Sequence, residues 1–194
     1  MGDTSLHGVS AGYWTAFLQG CKPCSFPGPP RSTTTSLQDS FAETIIDLEG
    51  THVAIQEFCT RHQVSDDSIF QTAWAIVISG YAGVEDVSFG YFSAMSCMDE
   101  KHRSAVISRA QITPNTLLRQ QLVDMTKNLD NALAHRDCSM TDVQKLLGCE
   151  GQPFFNLALQ VQRGTSAFDE FEPHRDLIEV RNTSFPGVFF ILTL

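Results

Sequence analysis

One segment limits the possible folds of this chain more than any other. From Asp66 to Tyr81 the residues read DDSIFQTAWAIVISGY, with Ile69, Phe70, Ala73, Trp74, Ala75, Ile76, Val77 and Ile78 spread around nearly every side of a helix. Ser65 stands at the N-cap position, and Asp66 and Asp67 fall in the first turn, where the helix dipole favours acids. A helix that is apolar almost all round must be covered on most sides. The segment therefore predicts a core helix inside a layered domain, with Trp74 among its buried side chains.

The flanking patterns supply the layers. His52 to His62 carries Val53, Ile55 (or Ala54) and Phe58 at helical spacing. Strands are expected at 40–48, 87–94, 105–112, 153–161, 176–182 and 187–194, where β-branched and aromatic residues cluster between turn signals. Gly90 lies inside the second of these, where glycine marks a bulge or a close approach by another backbone or a ligand. A long helix is expected from about Asn115 to His135, with Leu118, Leu122, Met125, Leu129 and Ala132 or Leu133 as its buried stripe. A short helix follows, capped by Asp137 or Ser139 and stopped by Gly148. Alternation of this kind predicts an α/β protein, a mixed sheet with helices packed on it.

At 194 residues the chain is long enough to bury roughly 70% of its unfolded surface. Residues 1–10 read as a flexible leader, residues 11–19 as a helical face of Tyr13, Trp14, Phe17 and Leu18, and residues 20–36, with four prolines, as an extended loop. Net charge is −9 and there is no Lys/Arg run, which disfavours nucleic acid and anionic membranes as partners. No apolar run approaches the ~18 residues of a membrane span, and no secretory signal opens the sequence. A cytoplasmic chain with six reduced cysteines is the expectation.

Several motifs promise chemistry and lack its parts. His135-Arg136-Asp137, with Val53-Ala54-Ile55 upstream, imitates a protein kinase. Yet Gln56 stands where a lysine must grip phosphates, and Asp142 where an asparagine must hold metal. Asp137 reads more simply as an N-cap in a turn between helices. Gly8-Val9-Ser10-Ala11-Gly12 matches a nucleophile elbow but has no buried strand before it, so Ser10 is assigned to the leader. Cys21-Lys22-Pro23-Cys24 has no second pair for zinc and reads as loop. Asn182-Thr183-Ser184 is a sequon that is silent without secretion. No catalytic or metal-binding set emerges from the residues themselves.

The order of segments carries more. YWTAFLQG, a proline-containing loop, CTRHQVS and FQTAWAIVISGYAGVEDVSFGYFSA together resemble the C-terminal half of the condensation domain of fungal nonribosomal peptide synthetases. Ser65 stands where the family often has threonine, and Ala73-Trp74-Ala75 and Phe89-Gly90 match frequent family segments. His135 and Asp137 match the family's H-Q-D-x-P-F-E, from which Arg136, Ser139, Met140 and Thr141 depart; Asn156 ends a matching F-N. The resemblance implies one lobe of a chloramphenicol-acetyltransferase-like fold. It also implies adenylation and peptidyl carrier domains as partners, with phosphopantetheine on the carrier and no cofactor held directly. The family's H-H-x-x-x-D-G does not occur in this sequence, and its G-x-F-V-N-T segment is replaced by MSCMDEKHRS. The expectation is a partial, non-catalytic condensation domain. The alternative is half of an active one, completed by a separate lobe bearing the histidine motif. The uncharged GVFFILTL end invites a homodimer in isolation.

Overall fold

The computed structural model describes residues 3–22, 24, 51–92, 105–150, 155–162 and 188–193. The strands expected at 40–48 and 176–182, most of the 20–36 loop, the MSCMDEKHRS segment and the sequon lie outside the described residues. Within them run α1 (Asp3–Phe17), α2 (Thr51–His62), α3 (Asp66–Ala82), β1 (Asp86–Phe92), β2 (Val106–Gln111), α4 (Leu118–Ala134), α5 (Met140–Leu146), β3 (Leu157–Gln162) and β4 (Val188–Thr193).

The strands form a mixed sheet in the order β2-β1-β3-β4. β1 pairs antiparallel with β2, with Phe89 opposite Ser108, and parallel with β3, with Gly90 opposite Ala158. β4 runs parallel to β3 at the outer position of the described sheet. Side-chain alternation sorts the layers. Ser108 points to one face, where its hydroxyl donates to Gln71 Oε1 of α3 at 2.8 Å and lies 3.5 Å from the sulfur of Met125 in α4. Arg109, the next residue, points to the other face and donates to the carbonyl of Phe17 at the end of α1. The sheet is thus covered by α3 and α4 on one side, as the α/β expectation required, and on the other Arg109 ties it to the end of α1, which packs on α5.

α3 starts and stops where its sequence dictates. The Ser65 side chain accepts from the Ser68 backbone N–H at 3.1 Å, and Gly83 ends the helix in the left-handed conformation with φ +67°. Its coverage differs from expectation. Ser68, Gln71, Thr72, Ala75 and Ile78 are buried, and Trp74 is only half-buried against the core. Ile76, Val77 and Tyr81 are exposed, at 45%, 43% and 72%. Apart from Ile78, the buried face consists of small and polar side chains, and Ile76 and Val77 are turned outward. α4 follows its expected stripe through Leu122, Met125, Leu129 and Ala132, while Leu118, the first residue of the helix, is exposed.

A second difference concerns the N-terminus. Residues 3–10, read as a flexible leader, are the first turns of α1, and Ser10 is buried at 3%. Trp14 and Leu18 extend the same helix face into the core. These two anchors hold α1 on the domain, and its helix runs back past Ser10 without a break.

Gly90 is required by packing. A Cβ there would come within 2.6 Å of the Phe155 ring and 3.2 Å of the Ala158 methyl. The close approach expected at this glycine is made by the chain's own Phe155, which fills the space a ligand would need.

Candidate functional site

The structure brings together two motifs that are remote in sequence. The serine of Gly8-Val9-Ser10-Ala11-Gly12 projects from the middle of α1 toward the turn that carries His135-Arg136-Asp137 between α4 and α5. Ser10 Oγ lies 3.1 Å from His135 Nδ1 and donates to Asp137 Oδ1 at 2.7 Å. Tyr13, one turn further along α1, stacks on the His135 ring with centroids 4.4 Å apart. Trp14 Nε1 donates to the backbone carbonyl of His135 at 2.9 Å.

The residue types are those of a hydrolytic triad, but their connectivity is not. In a triad the histidine lies between carboxylate and serine, and the serine oxygen faces the substrate. Here the serine lies between histidine and carboxylate, and it is buried within a helix. Its oxygen is engaged on both sides, so the arrangement fastens α1 to the turn. Burial also acts on Tyr13, whose phenol is pushed up to about 12 by desolvation.

Asp137 is not the cap of α5. Ser139 takes that place, its side chain accepting from the Asp142 backbone N–H at 3.2 Å. Asp137 instead receives the α1 serine, and an exposed carboxylate two residues before the cap is free to turn that way. Of the other residues singled out by sequence, Ser65 caps α3 and its backbone N–H donates to Thr126 of α4 at 3.3 Å. Trp74 lies on α3, Gly90 in β1, and Asn156 just before β3.

A second fastening point escaped sequence reasoning. Arg109 makes a two-pronged pair with Asp86, at 2.8 and 2.7 Å, and gives its remaining nitrogen to the carbonyls of Phe17 and Gln19. It therefore satisfies the C-terminal carbonyls of α1 while bridging β1 and β2. The hydrogen bonds to Asp86 raise the Arg109 pKa further. The only available signal was an acid and a base in two strands, whose register sequence does not give.

A groove of about 420 Å³ runs between β2 and α4, lined by Phe17, Arg109, Gln111, Gln121 and Asn128 among others. Gln121 donates to the Gln111 carbonyl and Asn128 to the Arg109 carbonyl, so these amides serve the fold. Among the described residues no group of three His, Cys, Asp or Glu could hold a metal ion, and no helix is long and apolar enough to cross a membrane.

No family model matches the chain. Solved structures do. Over 84% of its length it superimposes on 43% of the condensation domain from the monacolin K polyketide synthase MokA, with TM-score 0.59 and 13% identity. It also superimposes on 35% of the EpoB cyclization-docking bidomain from Sorangium cellulosum, with TM-score 0.61 and 14% identity.

The fold is that of a condensation domain, present in part.

The curated relatives that the chain resembles are fungal synthetases, and it spans only a small part of each. Nonribosomal peptide synthetase 8 of Aspergillus fumigatus is 31% identical over 171 residues, which is 84% of this chain and 2% of that protein. Nonribosomal peptide synthetase 4 of Gibberella zeae is 29% identical over 159 residues, again 2% of its length. A four-domain nonribosomal peptide synthetase bound to AMP and glycine contains the same fold, with TM-score 0.60 over 81% of the condensation-domain segment and 13% of that structure.

Proposed function

We propose that this condensation-domain segment is a non-catalytic structural or docking element of a cytoplasmic peptide synthetase. It works beside adenylation and carrier domains in secondary-metabolite biosynthesis. The observation that carries the reading is the Ser10–His135–Asp137 cluster, where the residues best suited to acyl chemistry are engaged in holding α1 on the domain. No pair of adjacent histidines occurs in the 194 residues to supply a condensing base. Phosphopantetheine enters this reading as the arm of a partner carrier protein. The chain self-associates in isolation, with β4, outermost of the described strands, as the natural meeting point.

The test is to incubate the purified chain with loaded donor and acceptor carrier proteins. A positioned acid–base group contributes roughly 10²–10⁴-fold in rate, so its absence should leave amide formation at background. Amide formation by the chain alone, at a rate typical of peptide synthetases, overturns the reading.

A second reading rests on the chain's coverage of only 43% of a solved condensation domain. On that reading a separate lobe carrying H-H-x-x-x-D-G completes an amide-forming enzyme. Co-expression with such a lobe distinguishes the two: stable co-purification with amide formation favours completion, and co-purification without it favours the structural role.

A further inference from the structure

The hydrogen bonds around Ser10 determine more than the position of α1. A hydroxyl has one proton to give, and an ionised carboxylate can only accept. Ser10 directs its proton to Asp137 Oδ1 at 2.7 Å. Toward His135 Nδ1, 3.1 Å away, the same oxygen can then only accept. Nδ1 must therefore carry the ring proton, and the lone pair falls on Nε2. We infer that Asp137, acting through the Ser10 hydroxyl, locks His135 in the Nδ1–H tautomer and makes Nε2 an open acceptor at the surface.

Three observations support that geometry. The ring is clamped by Tyr13, with planes inclined by 22°. The His135 backbone is held by the indole of Trp14. Nε2 has no hydrogen-bond partner among the described residues, and His135 is partly exposed. Its chain neighbours Ala134 and Arg136, and Asp137 beyond them, are exposed. An aromatic ring with a fixed plane and a single free lone pair is a preorganised acceptor for a hydrogen-bond donor: a peptide N–H, an ammonium or a hydroxyl on whatever approaches this turn. The inference stands apart from the proposed function, because a catalytic and a structural segment would share the same tautomer.

The test uses the full chain labelled with ¹⁵N and long-range proton–nitrogen spectra at about pH 8, above the ordinary imidazole range. Wild-type His135 should show a protonated Nδ1 and an unprotonated Nε2. In Asp137→Ala the acceptor that fixes the Ser10 hydroxyl proton is gone and that proton is free to turn to Nδ1, so proton occupancy should move from Nδ1 toward Nε2. Asp137→Asn keeps an accepting oxygen and should retain the wild-type pattern. Asp137 is exposed, so these variants test the lock without disturbing the core. Carbethoxylation by diethyl pyrocarbonate should reach Nε2 faster in wild type than in Asp137→Ala. A wild-type ring protonated at Nε2, a fast-exchanging mixture of tautomers, or an unchanged pattern in Asp137→Ala overturns the lock. Equal carbethoxylation rates overturn the open acceptor.

Discussion

Trp14 and His135 are 121 positions apart and are joined by one bond, from the indole N–H of α1 to the carbonyl that closes α4, at 2.9 Å. Trp14 is 2% exposed, so both its ring and its N–H are committed to the interior. Trp14→Ala should cost about 3–5 kcal/mol, the range for a buried aromatic. Trp14→Phe keeps most of the packing and leaves the carbonyl only the longer bond from the Cys138 backbone N–H, at 3.4 Å, for about 0.5–1.5 kcal/mol. Urea melts of the two variants check the order: Ala should be the less stable.

Why this bond was invisible in the sequence is instructive. Tyr13, Trp14, Phe17 and Leu18 do read as one helical face, and His135 and Asp137 do read as a turn. Nothing local links them, because the link depends on where tertiary packing seats α1. For the same reason Ser10 was assigned to a leader: its burial comes from a partner 125 residues away. By contrast α3, α4, β1 and β2 were legible because their signals are local. The Ser65 cap, the paired aspartates and the apolar stripe of α4 need no knowledge of tertiary structure.

The α3 helix gives a second prediction. Ile78 is fully buried and Ile76 is nearly half exposed, two residues away on the same helix. Ile78→Ala should cost about 2–5 kcal/mol, whereas Ile76→Ala should change stability by about 0.5 kcal/mol or less. Equal losses in paired denaturation curves would mean that both faces are covered. Sequence alone could not separate these positions, since both are isoleucine in an unbroken apolar run.

Gly90 and Phe155 should behave as a coupled pair. Gly90→Ala places a methyl against the ring and should destabilise by about 1–3 kcal/mol. Phe155→Leu removes the edge that the methyl meets. The double variant should therefore lose less than the sum of the singles, by about 0.5 kcal/mol or more. Strict additivity in a double-mutant cycle would show that the ring is not the obstacle.

Tyr13 sets an alkaline limit. An unfolded tyrosine ionises near 10, and in the fold burial pushes Tyr13 up to about 12. Between those values the unfolded chain has lost its proton and the folded chain has kept it. Stability should therefore be unaffected by this group below about pH 10 and fall as pH rises from there toward 12. The ultraviolet absorbance of tyrosinate should include one step near 12 that is missing in Tyr13→Phe. Its persistence in that variant would assign the step to another tyrosine.

The mixed sheet bears on the speed of folding. β1 meets β2 through a short excursion of chain, but its other edge must wait for β3, which arrives only after α4 and α5 have been traversed. Ordering so long an intervening segment incurs its loop-closure entropy before any ladder bond is gained. Chains rich in such remote pairings fold slowly for their size. Until β3 docks, β1 carries an unsatisfied edge at Gly90, Tyr91 and Phe92, the residues that later face Ala158, Leu159 and Gln160. The window in which this molecule is vulnerable to misassociation is therefore the interval between completing α4 and seating β3.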